Sequence, residues 1–155
     1  MQNSLKKQSG FGLIEVIVSV TIMITIIIAL NYLAQAAFRT WETAQSKTVA
    51  YNLIQGTIEG LHNKRDTNIA NGQDWVTTTD LDSFKSEYPS DGKKQTVFNK
   101  EFTTFLTVTD MNVAINGNTR TDLKKKFTVT VKWKDRLKEA EMTGETYLTD
   151  WKSKY

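Results

Sequence analysis

Residues 10–30 read GFGLIEVIVSVTIMITIIIAL, and the organisation of the chain follows from them. Twenty residues come after Gly10, nearly all apolar, with one carboxylate, Glu15, near the start. As a helix rising ~1.5 Å per residue, Phe11 to Leu30 spans about 30 Å, the thickness of a bilayer's hydrocarbon core. The ten residues up to Gly10 are polar and carry Lys6 and Lys7. A basic stub before a spanning run holds the amino end in the cytoplasm and sends everything after Leu30 outside. The expectation is a single-pass protein of the inner (cytoplasmic) membrane with an extracytoplasmic C-terminal domain.

A carboxylate in such a run needs a reason, because acidic residues near a span's centre cost roughly 2.5 to 3.5 kcal/mol on insertion scales and tend to mark function. Read blandly, Glu15 is an interfacial charge near the start of the span. Two other readings compete for the whole stretch. A secretory signal peptide has a shorter apolar core and a small-residue cleavage site. Ala34-Gln35-Ala36 matches such a site, but the core is too long and contains Glu15. The second is an uncut anchor that tethers an outer domain.

A short Lys-containing leader, the Gly10-Phe11 junction and GLIEV ahead of an unbroken apolar run closely resemble the type IV prepilin processing motif of pilins and type II secretion pseudopilins. The resemblance implies that prepilin peptidase cuts between Gly10 and Phe11 and methylates Phe11. It assigns Glu15 to assembly, as the carboxylate that pairs with the terminal ammonium of a neighbouring subunit. In low dielectric, two such charges neutralise a cost each would carry alone. It also makes the apolar positions Leu13, Ile14, Val16, Ile17, Val20, Ile24 and Ile28 the membrane segment and, after extraction, the core of a filament at the cell surface or in the periplasm. The implied partners are the peptidase, other pilin or pseudopilin subunits and, indirectly, an assembly platform with its motor ATPase. This sequence has Gly12 where relatives usually carry Thr.

Outward from Leu30 the pattern becomes amphipathic. Leu30, Leu33, Ala34, Ala37, Phe38, Trp41 and Ala44, then Tyr51, Ile54, Ile58 and Leu61, recur at three- and four-residue spacing. With no Gly or Pro between Leu13 and Gln55, one helix is expected from Phe11 to about Leu61, stopping at His62-Asn63. Residues 63–100 read as a variable connector of Gly, Asn, Asp, Ser and Thr with the lone Pro89. Inside it, Leu81, Phe84 and Tyr88 predict a short helix capped at Thr79-Asp80 and stopped by Pro89.

Residues 101–155 alternate as strands do. Phe102, Thr104, Leu106 and Val108 form one run, with Met111 to Ile115 extending it to an Asn116-Gly117 turn. Phe127, Val129, Val131 and Trp133 form the clearest one. Residues 136–142 have helical propensity, but Ala140, Met142, Gly144, Thr146 and Leu148 alternate, and strand is preferred because a two-stranded ribbon is marginal. The fold class is therefore α+β: a long N-terminal helix, half transmembrane and half amphipathic, packed against a small C-terminal antiparallel sheet of about three strands. The divisions are a leader at 1–10, a membrane and filament-core helix at 11–30, an amphipathic helix at 31–62, the connector, and the sheet. The layout resembles pilins, and its ending, FTVTVKW then TGETYLTDW, is most similar to I-type minor pseudopilins and PilV-like minor pilins.

The chain of 155 residues has no cysteine, so disulfides, thiol nucleophiles and thiolate metal sites are excluded. Its formal charge of +3 includes Lys6 and Lys7; without them 18 basic side chains face 17 acidic ones, or +1. With His62 the only histidine, a Ser-His-Asp triad and multi-histidine metal sites need residues the chain lacks, and at a helix end it reads as an exposed or capping residue. Asp66, Asn68, Asn71, Gly72 and Asp74 are similar to calcium-binding loops of some pilins but fail the EF-hand spacing. No catalytic residues, metal ligands or cofactors are assigned, and the protein is not read as an enzyme. The alternative function is a membrane-anchored binding module, a DNA-capturing pilin of a competence system. Its candidate nucleic-acid patch is Lys124, Lys125 and Lys126, near Arg120, Lys132, Lys134, Arg136 and Lys138 and offset by Glu139, Glu141 and Glu145.

Overall fold

The computed structural model describes residues 12–115, 118–120, 124–135 and 138–149. Helix α1 covers Leu13–Ala70. The chain divides into two compact units, one up to Glu42 and one from Thr43.

In the first unit every described residue from Gly12 to Glu42 is exposed. Ile24, Ile26 and Ile28 present half or more of their surface. The helix is long and apolar enough to cross a membrane. Four polar side chains of its apolar stretch bond back within the helix. Ser19, Thr21 and Thr25 donate to the carbonyls of Glu15, Ile17 and Thr21 at 2.7, 2.8 and 2.8 Å, and the Asn31 amide donates to Ile27 at 2.9 Å. A hydroxyl that folds back one turn brings no unmet donor into lipid.

The second unit is a helix laid on a sheet. Strands β1 (Lys93–Val97), β2 (Lys100–Asp110), β5 (Lys124–Asp135) and β6 (Lys138–Thr149) form an antiparallel sheet in the order β1-β2-β5-β6. Strands β3 (Val113–Ile115) and β4 (Asn118–Arg120) pair separately. Alternation puts Phe127, Val129, Val131 and Trp133 on one face, and all four are buried. Val129, Val131 and Trp133, with Phe102, pack on Ala50 and Ile54 of α1, and the Phe102 and Trp133 rings lie 5.9 Å apart. Burying each large side chain contributes about 1.5–3 kcal/mol. Gly144 of β6 is where the layers approach closest, since a Cβ there would overlap Ile54 Cγ2. A second cluster gathers Leu61, Ile69, Trp75, Phe127 and Leu148, closed by Phe84 edge-on to Phe127 at 6.3 Å.

The α+β layout is thus as expected from the pattern, with four differences. Helix α1 passes the expected stop at His62-Asn63, because Leu61 and Ile69 on its far turns have sheet and loop partners to bury against. It ends at Gly72, whose φ of +73° lets the amides of Gly72 and Gln73 return to the carbonyls of Ile69 and Asn68. The short helix α2 (Thr78–Glu87) is capped by Thr77, not by Thr79-Asp80. Thr77 accepts from the Asp80 amide while the Asp80 carboxylate accepts from the Thr77 amide, a reciprocal capping box. Strand β1 lies inside the expected connector and makes the sheet four-stranded. It joins β2 through Phe98 and Asn99, both at positive φ (50° and 60°), as a two-residue hairpin turn requires. Finally, β3 does not prolong β2 but pairs with β4, and the expected Asn116-Gly117 turn lies outside the described residues.

Candidate functional site

Gly10 and Phe11, the expected processing junction, lie outside the described residues. Glu15 stands in the first turn of α1, and its amide donates to the Gly12 carbonyl at 2.9 Å. On either side of Glu15, the residues Leu13, Ile14, Val16, Ile17, Val20, Ile24 and Ile28 are all exposed, by 50% or more. An isolated soluble protein does not leave a run of that size in water. The segment is built for lipid or for neighbouring helices.

The lysine run is placed differently from what its sequence suggests. On a strand, successive side chains point to opposite faces, so Lys124 and Lys126 share one face and Lys125 takes the other. Lys125 pairs with Asp110. Lys126 pairs with Glu145 at 2.7 Å, and that carboxylate holds its ammonium above the ordinary range. Lys124 lies over the Tyr147 ring at 4.7 Å. Lys132 pairs with Glu141 at 3.7 Å. The side chain of Arg120, and Arg136 altogether, fall outside the described residues. A charge run along β5 is thus met by carboxylates from β2 and β6, and the backbone puts its members on opposite faces.

His62 is not an exposed cap. Its Nε2 lies 3.0 Å from the Thr146 hydroxyl, a tie between α1 and β6. Of the residues read against calcium loops, Asp66 pairs with Arg65 at 2.7 Å, Asn68 donates to Asp80, and Gly72 ends the helix. Among the described residues no group of three or more His, Asp or Glu side chains converges to hold a metal.

Two polar clusters went unread in the sequence. Asp80 is 5% exposed and accepts from Asn68 Nδ2 at 2.6 Å, Thr77 Oγ1 at 2.7 Å and the Thr77 amide at 2.9 Å. Lys64 Nζ stands 3.3 Å away. Burial pushes this carboxyl up, yet the hydrogen bonds from Thr77, Asn68 and Lys64 together outweigh it and hold the group below the ordinary value of 3.8. The spacing Thr77-x-x-Asp80 was the signal. In the other cluster Lys100 Nζ donates to Ser46 Oγ at 2.9 Å and lies 3.5 Å from Asp135 Oδ1, while Thr43 donates to Asp135 Oδ2 at 3.1 Å. A serine beside a lysine is a nucleophile pattern elsewhere. Here Ser46 is buried and the ammonium is neutralised by Asp135, so the cluster fastens α1 to the sheet.

Concave surface is shallow. An open groove of about 850 Å3 lies across Lys94, Thr103, Phe105, Lys132 and Glu139 and brings no nucleophile to a base. The amino end carries a recognisable motif. There residues 5–30 match the prokaryotic N-terminal methylation motif. No curated protein and no solved structure matches the chain significantly. The matched residues take in the Gly10-Phe11 junction, Glu15 and the apolar run to Leu30. The chain is type IV pilin-like at its amino end and carries that end on a long helix joined to an antiparallel sheet.

Proposed function

We propose that this protein is a structural subunit, a minor pilin or minor pseudopilin, of a type IV pilus-like or type II secretion filament. The reading is carried by one observation: the methylation motif runs directly into a helix whose apolar side chains from Leu13 to Trp41 are all exposed. The precursor is anchored in the inner membrane with its amino end cytoplasmic. Prepilin peptidase cuts after Gly10, and Phe11 becomes the methylated first residue. Glu15 then stands on the fifth residue of the processed chain and pairs with the terminal ammonium of a neighbouring subunit, which sets the stagger between them. Leu13, Ile14, Val16, Ile17, Val20, Ile24 and Ile28 exchange lipid for the helices of other subunits as an assembly platform, driven by its motor ATPase, extracts the chain. The work is mechanical and not catalytic.

Intact mass and N-terminal sequencing of the protein from its host membranes test this reading. The expected start is N-methylated Phe11. A start at Ala37 would make the chain an ordinary secreted protein, and an intact Met1 would make it an uncut anchor.

A further inference from the structure

The sheet ends in two strands of opposite charge. Among the described residues β1 pairs only with β2 and β6 only with β5, so each leaves one row of backbone groups unpaired. Such edges are templates for another strand unless something blocks them. On the outer face of β6 stand Glu139, Glu141 and Glu145, all exposed. Strand β1 has no acidic residue; Lys93 turns inward to Glu87 at 2.7 Å, and Lys94 is presented outward.

Strand polarity makes the two edges compatible. Three successive antiparallel pairings separate β1 from β6, so the two edge strands run in opposite directions. A copy placed alongside another without inversion therefore brings its β1 antiparallel to the neighbour's β6. Anchoring in one membrane gives all copies that common polarity. The side chains also fall into rows. Lys94 is opposite Thr103, Thr103 opposite Lys132, and Lys132 opposite Glu141. At that level the next copy's Lys94 would lie beside Glu141, and the row would repeat in charge from copy to copy. Both residues have weak partners within their own chain, Glu101 at 3.6 Å and Lys132 at 3.7 Å, and their side chains stay 59% and 65% exposed.

We propose that β1 and β6 form a complementary, head-to-tail interface between copies of this chain, with Lys94 of one copy against Glu141 of the next. Charge selects it over the symmetric arrangements. Joining β6 to β6 sets glutamates against glutamates, and joining β1 to β1 sets lysines together; like charges directly opposite destabilise a pair. A heterologous contact of this kind leaves a free edge at each end, to which further copies add until the rotation closes a ring or runs on as an open helix. The right-handed twist of strand pairing turns each added copy about the strand stack. The interface takes from the filament reading only that copies are gathered in one membrane; it uses no residue of the apolar helix.

The test uses the full chain in host membranes. Because the chain has no cysteine, engineered thiols report without background. Directly opposite positions in an antiparallel pair have Cβ atoms about 5 Å apart, within reach of oxidation to a disulfide. The double variant K94C/E141C should give a ladder of dimers, trimers and higher species, and neither single variant should cross-link. On the unaltered chain, zero-length carbodiimide coupling should yield an intermolecular Lys94–Glu141 peptide. K94E or E141K alone should reduce the coupled oligomers several-fold, and the K94E/E141K swap should restore them. Dimers from E141C alone would replace the proposal with a symmetric β6 edge. Monomers only, by thiols and by carbodiimide, would overturn it. N-terminal sequencing of the same samples separates this failure from failure of the filament reading, since a Phe11 start with no cross-link refutes the edge interface alone.

Discussion

Replacing Asp80 by alanine removes the one carboxylate on which the end of α1, the loop after it and the start of α2 converge. The Thr77 amide and hydroxyl lose the acceptor that closes the capping box, which costs about 1 kcal/mol, while Thr77 still accepts from the backbone amide of residue 80. The Asn68 amide, on a side chain 5% exposed, is left without its acceptor, which costs about 1–3 kcal/mol more. The sum is about 2–4 kcal/mol, a large share of a small domain's stability. Unfolding of the full chain in detergent by urea, followed through the fluorescence of buried Trp75, reads the change in midpoint at constant slope. Acid adds a second arm. A carboxyl held below its ordinary value binds fewer protons folded than unfolded, so its stabilisation is present above 3.8 and lost as pH falls through the lower folded value. Wild type should lose stability in that window, and Asp80→Asn, which keeps an acceptor but no titrating group, should lose less. A destabilisation under about 0.5 kcal/mol for Asp80→Ala, the range of ordinary surface changes, would refute the cluster's role.

Three further outcomes are expected. Gly144→Ala drives a methyl into Ile54 and should destabilise by about 1–3 kcal/mol in the same assay, and the same change should cost less when measured in an Ile54→Ala background. Phe98→Asn should stabilise by about 1 kcal/mol, because an exposed Phe is held at positive φ in a turn that Asn adopts more cheaply; a lower urea midpoint would count against the turn assignment. Glu15→Ala should leave membrane insertion intact, measured by carbonate extraction, and lower recovery of the protein in sheared filaments. Normal recovery would remove the charge-pairing role.

The long helix and the sheet were legible because their patterns are unbroken: an apolar run of membrane length, then three-four spacing, then alternation in β5 and β6. What escaped reading depended on partners far away in sequence. His62-Asn63 has the chemistry of a helix stop, but Leu61 before it and Ile69 beyond it find Trp75, Phe127 and Leu148, and the helix persists to a glycine that can turn. Strand β1 carries lysines, Gln and Thr, and its turn has no glycine, so neither its apolar content nor its punctuation marks it. Thr77 was masked by the more obvious Thr79-Asp80, although Asp80 three residues on is what defines the cap. The Lys124 to Lys126 run looked like a patch because adjacency in sequence was read as adjacency in space. On a strand, neighbours in sequence face apart, and carboxylates on β2 and β6 meet them. At the amino end, by contrast, a helix long and apolar enough to cross a membrane was legible from length and composition alone, since it needs no partner from the rest of the chain.

Gly144 has a bearing on how the domain avoids misassembly. Strand β6 alternates Ala140, Met142, Gly144 and Thr146 on its inner side with Thr and Glu on the other, a pattern that looks nearly the same after sliding by two residues. Of those inner positions only the glycine leaves a notch that admits Ile54. Shifted either way, Met142 or Thr146 would stand where the helix must come closest, and the layers could not shut. The missing side chain thus works as a key, letting the long helix verify the alignment of the last strand before the sheet is sealed.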